Sequence, residues 1–250
     1  MMLNSTASHG FPRTKRSRLS ATKTRSRLFK KAFPWSRRDQ EPDASGNGSA
    51  QFFVAGEKVI LRDKRLEDAA DDYAWRRDPE LSKLDATTPI QMSFNEYYKY
   101  TEDEVGYTSK WSRRFAIDTR DGVHIGNSMF YDIDLRRGET ELGIMLGNRD
   151  YWGKGYGTDA VITLLDYIFT TTTLNRVYLH TLDWNTRARR SFTHAGFQEV
   201  RTVRRSGMDF ILMEVLRPDW ERHRAQESKN GRNPEEAPSG NSATKPPVTE

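Results

Sequence analysis

A glycine-rich segment, WGKGYGT at residues 152–158, lies between a predicted strand and a predicted helix. Glycine lets a backbone turn tightly and approach a ligand closely, because no Cβ stands in the way. The first amides of the following helix have no intrahelical acceptor, so consecutive N–H groups there can cradle a phosphate or pyrophosphate. Lys154 would add a positive charge. The same residues would also serve as a tight connector without a ligand, so the segment indicates a candidate phosphate site and both interpretations stand.

Two well-known phosphate motifs do not fit this segment. A P-loop needs GxxxxGK followed by Ser or Thr, and a dinucleotide fingerprint needs GxGxxG. The glycines here are Gly153, Gly155 and Gly157. The segment also follows an antiparallel run of predicted strands, whereas dinucleotide folds place the motif after the first strand of a parallel sheet.

Composition and charge exclude several classes of protein. The 250 residues include no cysteine, which excludes disulfides, thiolate metal sites and a cysteine nucleophile. No apolar run reaches the roughly 18–20 residues of a membrane-spanning helix, so we expect no transmembrane segment. The net charge of +5 is uneven: residues 1–50 carry +8 and residues 222–250 carry +1, which leaves the segment between them at −4.

The two ends of the chain have the composition of tails. Residues 1–38 contain no acid and are rich in Arg, Lys and Ser, so we predict that 1–50 is a disordered basic tail and linker. This tail could contact a ribosome or another anionic surface, or act as a mitochondrial targeting segment in a eukaryote. Otherwise we expect a cytoplasmic protein. Residues 222–250 are predicted to be a disordered polar tail.

Hydrophobic spacing and turn residues between the tails predict an α+β order of elements. Ser93 and Glu96 form a capping box before the second helix, and Pro79 ends the first. The predicted strands are 59–61, 114–118, 125–133, 141–146, 176–182, 197–205 and 208–216. The predicted helices are 66–78, 93–105, 158–169 and 186–195.

Four ordered segments carry a family resemblance: ELGIMLG at 141–147, YWGKGYGT at 151–158, NTRA at 185–188 and GF at 196–197. The chain resembles the GNAT superfamily of N-acetyltransferases over about residues 56–220, and within it the RimJ/RimL-type branch. The resemblance implies an acetyltransferase domain at 51–221. Its fold would be α+β, a mixed, mostly antiparallel twisted sheet flanked by helices, with splayed central strands.

The resemblance also implies acetyl-CoA as co-substrate, and the absence of cysteine and of metal-ligand spacing among the histidines leads us to expect no metal. Backbone amides of the glycine-rich segment would hold the pyrophosphate, and the strand ending at Leu146 would pair with the pantetheine arm. Trp152 departs from the glutamine or arginine usual in the family, but the contacts come mainly from the backbone. The implied cofactor-binding residues are Leu146, Trp152, Gly153, Lys154, Gly155, Tyr156, Gly157, Thr158, Asn185 and Arg187.

For catalysis, the resemblance implies direct transfer of the acetyl group to a primary amine. An amine must lose a proton before it attacks a thioester, so a general base is useful. Glu141 matches the position of the family's catalytic glutamate, and Glu139 is a weaker candidate. Phe192 stands where many members have a proton-donating tyrosine, so Tyr156 or a water would replace it. His124 and His180 are isolated among strands and receive no role.

The sequence leaves alternatives for the amine acceptor and for the oligomeric state. The acceptor would be a protein N-terminus, a polyamine or an aminoglycoside-like amine, and the protein would be a monomer or homodimer. A second hypothesis is a catalytically weak acyl-CoA-binding module, anchored to nucleic acid or another anionic surface by its basic tail.

Overall fold

Eight strands, six α-helices and two short 3-10 helices (Leu66–Asp68 and Arg149–Tyr151) form the part of the chain that the computed structural model describes, residues 52–105 and 109–229. The strands are β1 (Phe53–Ala55), β2 (Val59–Arg62), β3 (Ser112–Thr119), β4 (His124–Asp134), β5 (Glu139–Leu146), β6 (Arg176–Leu182), β7 (Gln198–Arg205) and β8 (Met208–Leu216). The helices are α1 (Ala69–Arg77), α2 (Pro79–Leu84), α3 (Phe94–Val105), α4 (Tyr156–Thr171), α5 (Thr186–His194) and α6 (Arg217–Lys229). The predicted basic tail and the residues from 230 onward lie outside the described residues.

The strands pair into one sheet in the order β1-β2-β3-β4-β5-β6-β8-β7, antiparallel everywhere except between β5 and β6. That parallel pairing joins only Glu139–Glu141 with Arg176–Tyr178. Both strands continue without a mutual register, β5 to Leu146 and β6 to Leu182, so they diverge toward their carboxyl ends. The predicted fold class is confirmed: a mixed, mostly antiparallel α+β sheet flanked by helices, with splayed central strands.

Helix α4 packs on one face of the sheet because its apolar residues recur at helical spacing. Ala160, Leu164 and Ile168 are completely buried there. Tyr167 of the same helix contacts Phe115 of β3 edge-on, with ring centroids 5.5 Å apart. Burial of this apolar face is the main source of stability for a fold of this size. It also fixes where α4 begins, next to the diverging ends of β5 and β6.

Two helices differ from the prediction. Pro79 ends α1 as predicted, but it also begins α2, because proline is tolerated in the first turn of a helix. Asp78 caps α2 by accepting hydrogen bonds from the amides of Glu80 and Leu81, both at 2.9 Å. The predicted domain end at residue 221 falls inside α6, which continues to Lys229.

Side-chain contacts with α4 stabilise helix α6. The indole Nε1 of Trp220 donates to Oδ1 of Asp166 at 2.7 Å, and its ring lies 5.2 Å from that of Phe169. Arg224 pairs with the same aspartate. The polar composition of this segment concealed these tertiary contacts.

Candidate active site

The glycine-rich segment folds as a tight turn that leads directly into α4. Gly153 and Gly155 have φ values of +71° and +86°, in the left-handed region that favours glycine. Gly155 is the N-cap of α4. These residues therefore take the conformation that their type allows, and the helix begins with amides that its own backbone cannot satisfy.

The first turn of α4 lies against the end of β5. A Cβ added at Gly157 would stand 3.2 Å from Cδ1 of Leu146, which is tighter than an ordinary contact. The hydroxyls of Thr158 and Ser191 are 2.8 Å apart, which joins the same turn to α5. The beginning of α4 is thus held beside the gap between β5 and β6.

Trp152 lies between the end of β5 and the beginning of α5. Its indole Nε1 donates to the carbonyl oxygen of Leu146 at 2.9 Å. The guanidinium of Arg187 stacks 3.6 Å from the centre of the indole ring, and burial lowers the pKa of Arg187. An open cleft of about 170 Å³ adjoins these side chains. Its walls are Glu80, Leu84, Trp152, Trp184, Asn185, Thr186 and Arg187.

Asn185 caps α5 with its side chain. Its Oδ1 accepts a hydrogen bond from the amide of Ala188 at 3.2 Å. The capping contact uses only the oxygen of the Asn185 amide, so it leaves the two donors of the NH₂ group unused. The structure therefore brings three of the predicted cofactor residues, Trp152, Asn185 and Arg187, into one cleft.

Tyr156, the first residue of α4, packs against the segment that precedes the helix. Its ring meets that of Tyr151 edge-on at 5.0 Å, and Nζ of Lys58 lies 5.7 Å from its centre. Nζ of Lys58 also donates to the carbonyl of Lys154 at 2.9 Å. These contacts give Tyr156 a packing role, and its assignment as a proton donor stays a prediction.

Glu141 lies at the last pairing between β5 and β6, where the two strands begin to diverge. The residue is 8% exposed, and its Oε1 lies 2.7 Å from Nδ1 of His180 on β6. Tyr131 and Tyr178 are its neighbours in register on either side. Burial, followed by the charge of Glu141, raises the pKa of both tyrosines. The site thus combines a buried carboxylate, an imidazole and two phenols that stay protonated at neutral pH.

Residues 58–198, more than half of the chain, match the acetyltransferase (GNAT) domain family. The chain belongs to the GNAT family of acetyltransferases. This confirms the predicted enzyme class, and the RimJ/RimL-type branch stays a prediction.

Three proteins illustrate the relationship. An uncharacterized N-acetyltransferase p20 from Bacillus licheniformis is 31% identical over 149 residues, covering 59% of this chain and 83% of the relative. Human alpha/beta-tubulin-N-acetyltransferase 9 is 29% identical over 162 residues, covering 60% of this chain and 76% of the relative. A Vibrio cholerae spermidine N-acetyltransferase, solved with CoA and spermine, superposes with a TM-score of 0.58. It is 21% identical and covers 65% of this chain and 98% of that chain, which shows a shared fold.

The remaining candidates of this GNAT domain have structural partners. Phe192 is 8% exposed and packs against Phe197 at 6.0 Å, so it belongs to the core. Glu139 is bound to Arg176 at 2.8 Å, and the same arginine contacts Glu214 at 2.7 Å. The pairing of Glu139 makes it a poorer candidate base than Glu141.

His180 is the site residue that sequence reasoning missed. The residue is 39 positions from Glu141 along the chain, and only the short parallel register brings the two strands together. With Tyr178 opposite Glu141, His180 follows two residues later on the same face of β6. The alternation of side chains along β6 predicts which face of the sheet His180 lies on. Only the register of β5 against β6 shows that Glu141 is its partner.

Within the described ranges, no helix is long and apolar enough to cross a membrane. The same ranges contain no group of three His, Asp or Glu side chains arranged to hold a metal ion.

Proposed function

We propose that this GNAT domain transfers the acetyl group of acetyl-CoA directly to a primary amine. The observation that carries the proposal is the position of Glu141 and His180 at the point where β5 and β6 diverge. A proton acceptor placed there serves an amine, because amines are mostly protonated at neutral pH and must lose a proton to attack. The chain has no cysteine to carry the acetyl group, so direct transfer is the simpler route.

The proposed binding of acetyl-CoA rests on two features of the chain itself. The glycines at 153, 155 and 157 bring the first amides of α4 close to the end of β5, where a pyrophosphate would accept hydrogen bonds. The diverging strands leave backbone groups of β5 unpaired toward β6, and an extended pantetheine arm would pair with them as an added strand does. Asn185, Arg187 and Lys154 would add polar and charged contacts along the same path.

The proposed acceptor is a cationic amine, because the site is acidic. Glu139 and Asp132 lie close enough to contribute, after burial and Glu141, to the raised pKa of Tyr178. A protein N-terminus, a polyamine and an aminoglycoside all present such an amine. The names of the relatives support both a protein and a polyamine acceptor, and a RimJ/RimL-type relationship would favour the protein.

Release of CoA in the presence of an amine panel tests this function. Acetyl-CoA is incubated with an N-terminal peptide, spermidine and kanamycin in separate reactions, and free thiol is followed over time. We expect CoA release with at least one amine and an acetylated product one acetyl group heavier by mass spectrometry. Tight binding of CoA with no free thiol released in any of the reactions would support the alternative of a catalytically weak binding module. The buried Phe192, at the usual tyrosine position, favours that alternative.

The basic tail is proposed to act separately from the catalytic domain. Residues 1–38 would contact a ribosome or another anionic surface, in a cytoplasmic monomer or homodimer. Salt-dependent binding to RNA should be lost on deletion of residues 1–50, whereas CoA release should persist.

A further inference from the structure

The hydrogen bond between Glu141 and His180 fixes the proton on the imidazole. The carboxylate of Glu141 only accepts, so Nδ1 of His180, at 2.7 Å from Oε1, carries the hydrogen. In a neutral imidazole the other ring nitrogen then has a lone pair and no hydrogen. The atom in this pair that is ready to accept a proton is therefore Nε2 of His180.

The contact of Glu141 with Nδ1 of His180 suits this carboxylate to orient the imidazole. Its Oε1 lies 2.7 Å from Nδ1 of His180, and Tyr131 and Tyr178 lie opposite it in register on the two neighbouring strands. The same arrangement holds an imidazole in one tautomer and orientation in other enzymes.

We propose that His180 is the catalytic base of the transfer and that Glu141 is its positioning residue. This inference rests on the proposed function and changes the role of both residues within it. The strand registers place Tyr131, Glu139, Glu141, Arg176, Tyr178 and Glu214 on the same face of β4, β5, β6 and β8 as His180, and the charge of Asp132 on β4 also acts on Tyr131 and Tyr178. The carboxylates among them stabilise the imidazolium that forms when Nε2 takes a proton.

An acceptor amine that arrives as an ammonium loses two protons in the transfer. Nε2 of His180 takes one proton and frees the lone pair of the acceptor nitrogen. That lone pair forms the N–C bond to the acetyl carbon, and the C–S bond breaks with its electrons passing to sulfur. The second proton lost by the nitrogen goes to the sulfur, so the products are the amide, CoA as a thiol and an imidazolium at His180.

Asparagine at position 180 separates the two possible bases. The Nδ2 of asparagine occupies the place of the histidine Nδ1, so His180→Asn can keep the hydrogen bond to Glu141 while it removes Nε2. We expect this variant to lose a factor of about 10² to 10⁴ in kcat, as for removal of a general base. The dissociation constant for CoA should stay within about twofold, and the acidic limb of the kcat/KM profile should disappear. His194→Asn on the exposed surface of α5 is the matched control.

Glu141→Gln completes the comparison. It should also reduce kcat, because a glutamine amide can donate to Nδ1 and favour the opposite tautomer. The double variant should lose no more than the worse single variant, since the two residues act as one unit. Full activity in His180→Asn together with loss of activity in Glu141→Gln would overturn the role of His180 and leave the proposed function intact. A wild-type protein that releases no CoA with any amine would overturn both.

The tautomer gives a second test that does not depend on the folding of a variant. Nitrogen-15 NMR of the wild-type protein should show the hydrogen of neutral His180 on Nδ1. A hydrogen on Nε2 instead would contradict the proposal, because that nitrogen would then have no lone pair for the acceptor.

Discussion

The backbone amide of Lys58 donates to Oδ2 of Asp159 at 2.8 Å and so fastens the beginning of β2 to the first turn of α4. The same carboxylate accepts from the amides of Glu57 at 3.1 Å and Val59 at 3.0 Å. Gly56 lets the chain pass this close, because a Cβ there would stand 2.2 Å from Oγ1 of Thr163. Asp159 therefore holds in place the helix end that is proposed to bind the pyrophosphate.

Replacement of Asp159 by alanine should weaken both stability and CoA binding. Three backbone amides would lose a charged acceptor, which costs about 2–4 kcal/mol of unfolding free energy when water replaces part of the loss. Urea denaturation measures this change, and calorimetry with CoA measures affinity. Asp121→Ala, in an exposed hairpin turn, is the control and should change neither quantity. An Asp159→Ala protein as stable as the wild type would show that the three amides find other partners.

Alanine at Gly155 should weaken CoA binding more than its cost to stability explains. A non-glycine residue at φ +86° costs about 1–2 kcal/mol, and relief of that strain would turn the amides of the loop. Gly196→Ala is a matched control, since Gly196 has φ +98° at the end of α5 and room for a Cβ, with Cγ2 of Val215 at 3.9 Å. Both variants should lose similar stability in urea, and only Gly155→Ala should lose CoA affinity by calorimetry. Equal affinities in the two variants would argue against a phosphate site in this loop.

Phenylalanine at Trp152 should separate the two contacts of the indole. The ring could still stack on Arg187, but the hydrogen bond to the carbonyl of Leu146 would be lost. We expect a loss of about 1 kcal/mol in unfolding free energy and weaker CoA binding, because the end of β5 is no longer fixed. Trp184→Phe in the same cleft provides the comparison, since its indole is 48% exposed and should matter less. The idea fails if the two variants bind CoA equally well in calorimetry.

The carboxylate of Asp68 should make stability depend on pH in strongly acidic solution. It accepts hydrogen bonds from Arg62 at 2.7 and 2.9 Å and from the amide of Arg65 at 2.9 Å. Burial acts to raise the pKa of Asp68, but these bonds prevail and lower it to about 2. Because the folded value lies below the unfolded value of about 3.9, this stabilisation is complete above about pH 4 and is lost as the pH falls through about 2.

The expected contribution of Asp68 is about 2 kcal/mol at neutral pH. Unfolding free energies measured in urea between pH 5 and pH 2 should therefore fall less steeply for Asp68→Asn than for the wild type. The variant should also be less stable at neutral pH, since Arg62 would lose one of its two buried partners. Parallel curves for the two proteins would mean that Asp68 does not carry this dependence.

Trp220 should be required for α6 and for full stability of the domain. Trp220→Ala removes the ring contact with Phe169 and the hydrogen bond to Asp166, at a cost of about 3–5 kcal/mol if the site does not collapse. Trp111→Ala is the control, because that side chain is 58% exposed. Thermal denaturation and the helical circular dichroism signal provide the measurement. An unchanged melting temperature would indicate that α6 adds nothing to the domain.

Local signals in the sequence predicted most of the elements. The strand at 176–182 was predicted with its observed bounds, and the helix at 158–169 lies within α4. The capping box is confirmed, since Oε2 of Glu96 accepts from the amide of Ser93 at 2.8 Å. In each case the deciding interaction is short in sequence or periodic, so it can be read from neighbouring residues.

The elements and site residues that were missed depend on distant contacts. The three-residue strand β1 needs β2 as a partner, and α6 needs Asp166 more than 50 residues away. The pairing of His180 with Glu141 needs the register of β5 against β6. Such pairings are set by the closure of the whole sheet, which no local pattern reports.

The short pairing between β5 and β6 divides the sheet into two parts that are joined at one end only. Strands β1–β5 and β6–β8 share only three residue pairs in hydrogen-bonding register, beside the proposed active site. A bound pantetheine arm would lie between the unpaired parts of β5 and β6 and would connect the two parts of the sheet there. Substrate binding should therefore stabilise the carboxyl end of β6 and slow hydrogen exchange of its amides. The stability of the fold should then increase with occupancy of the site.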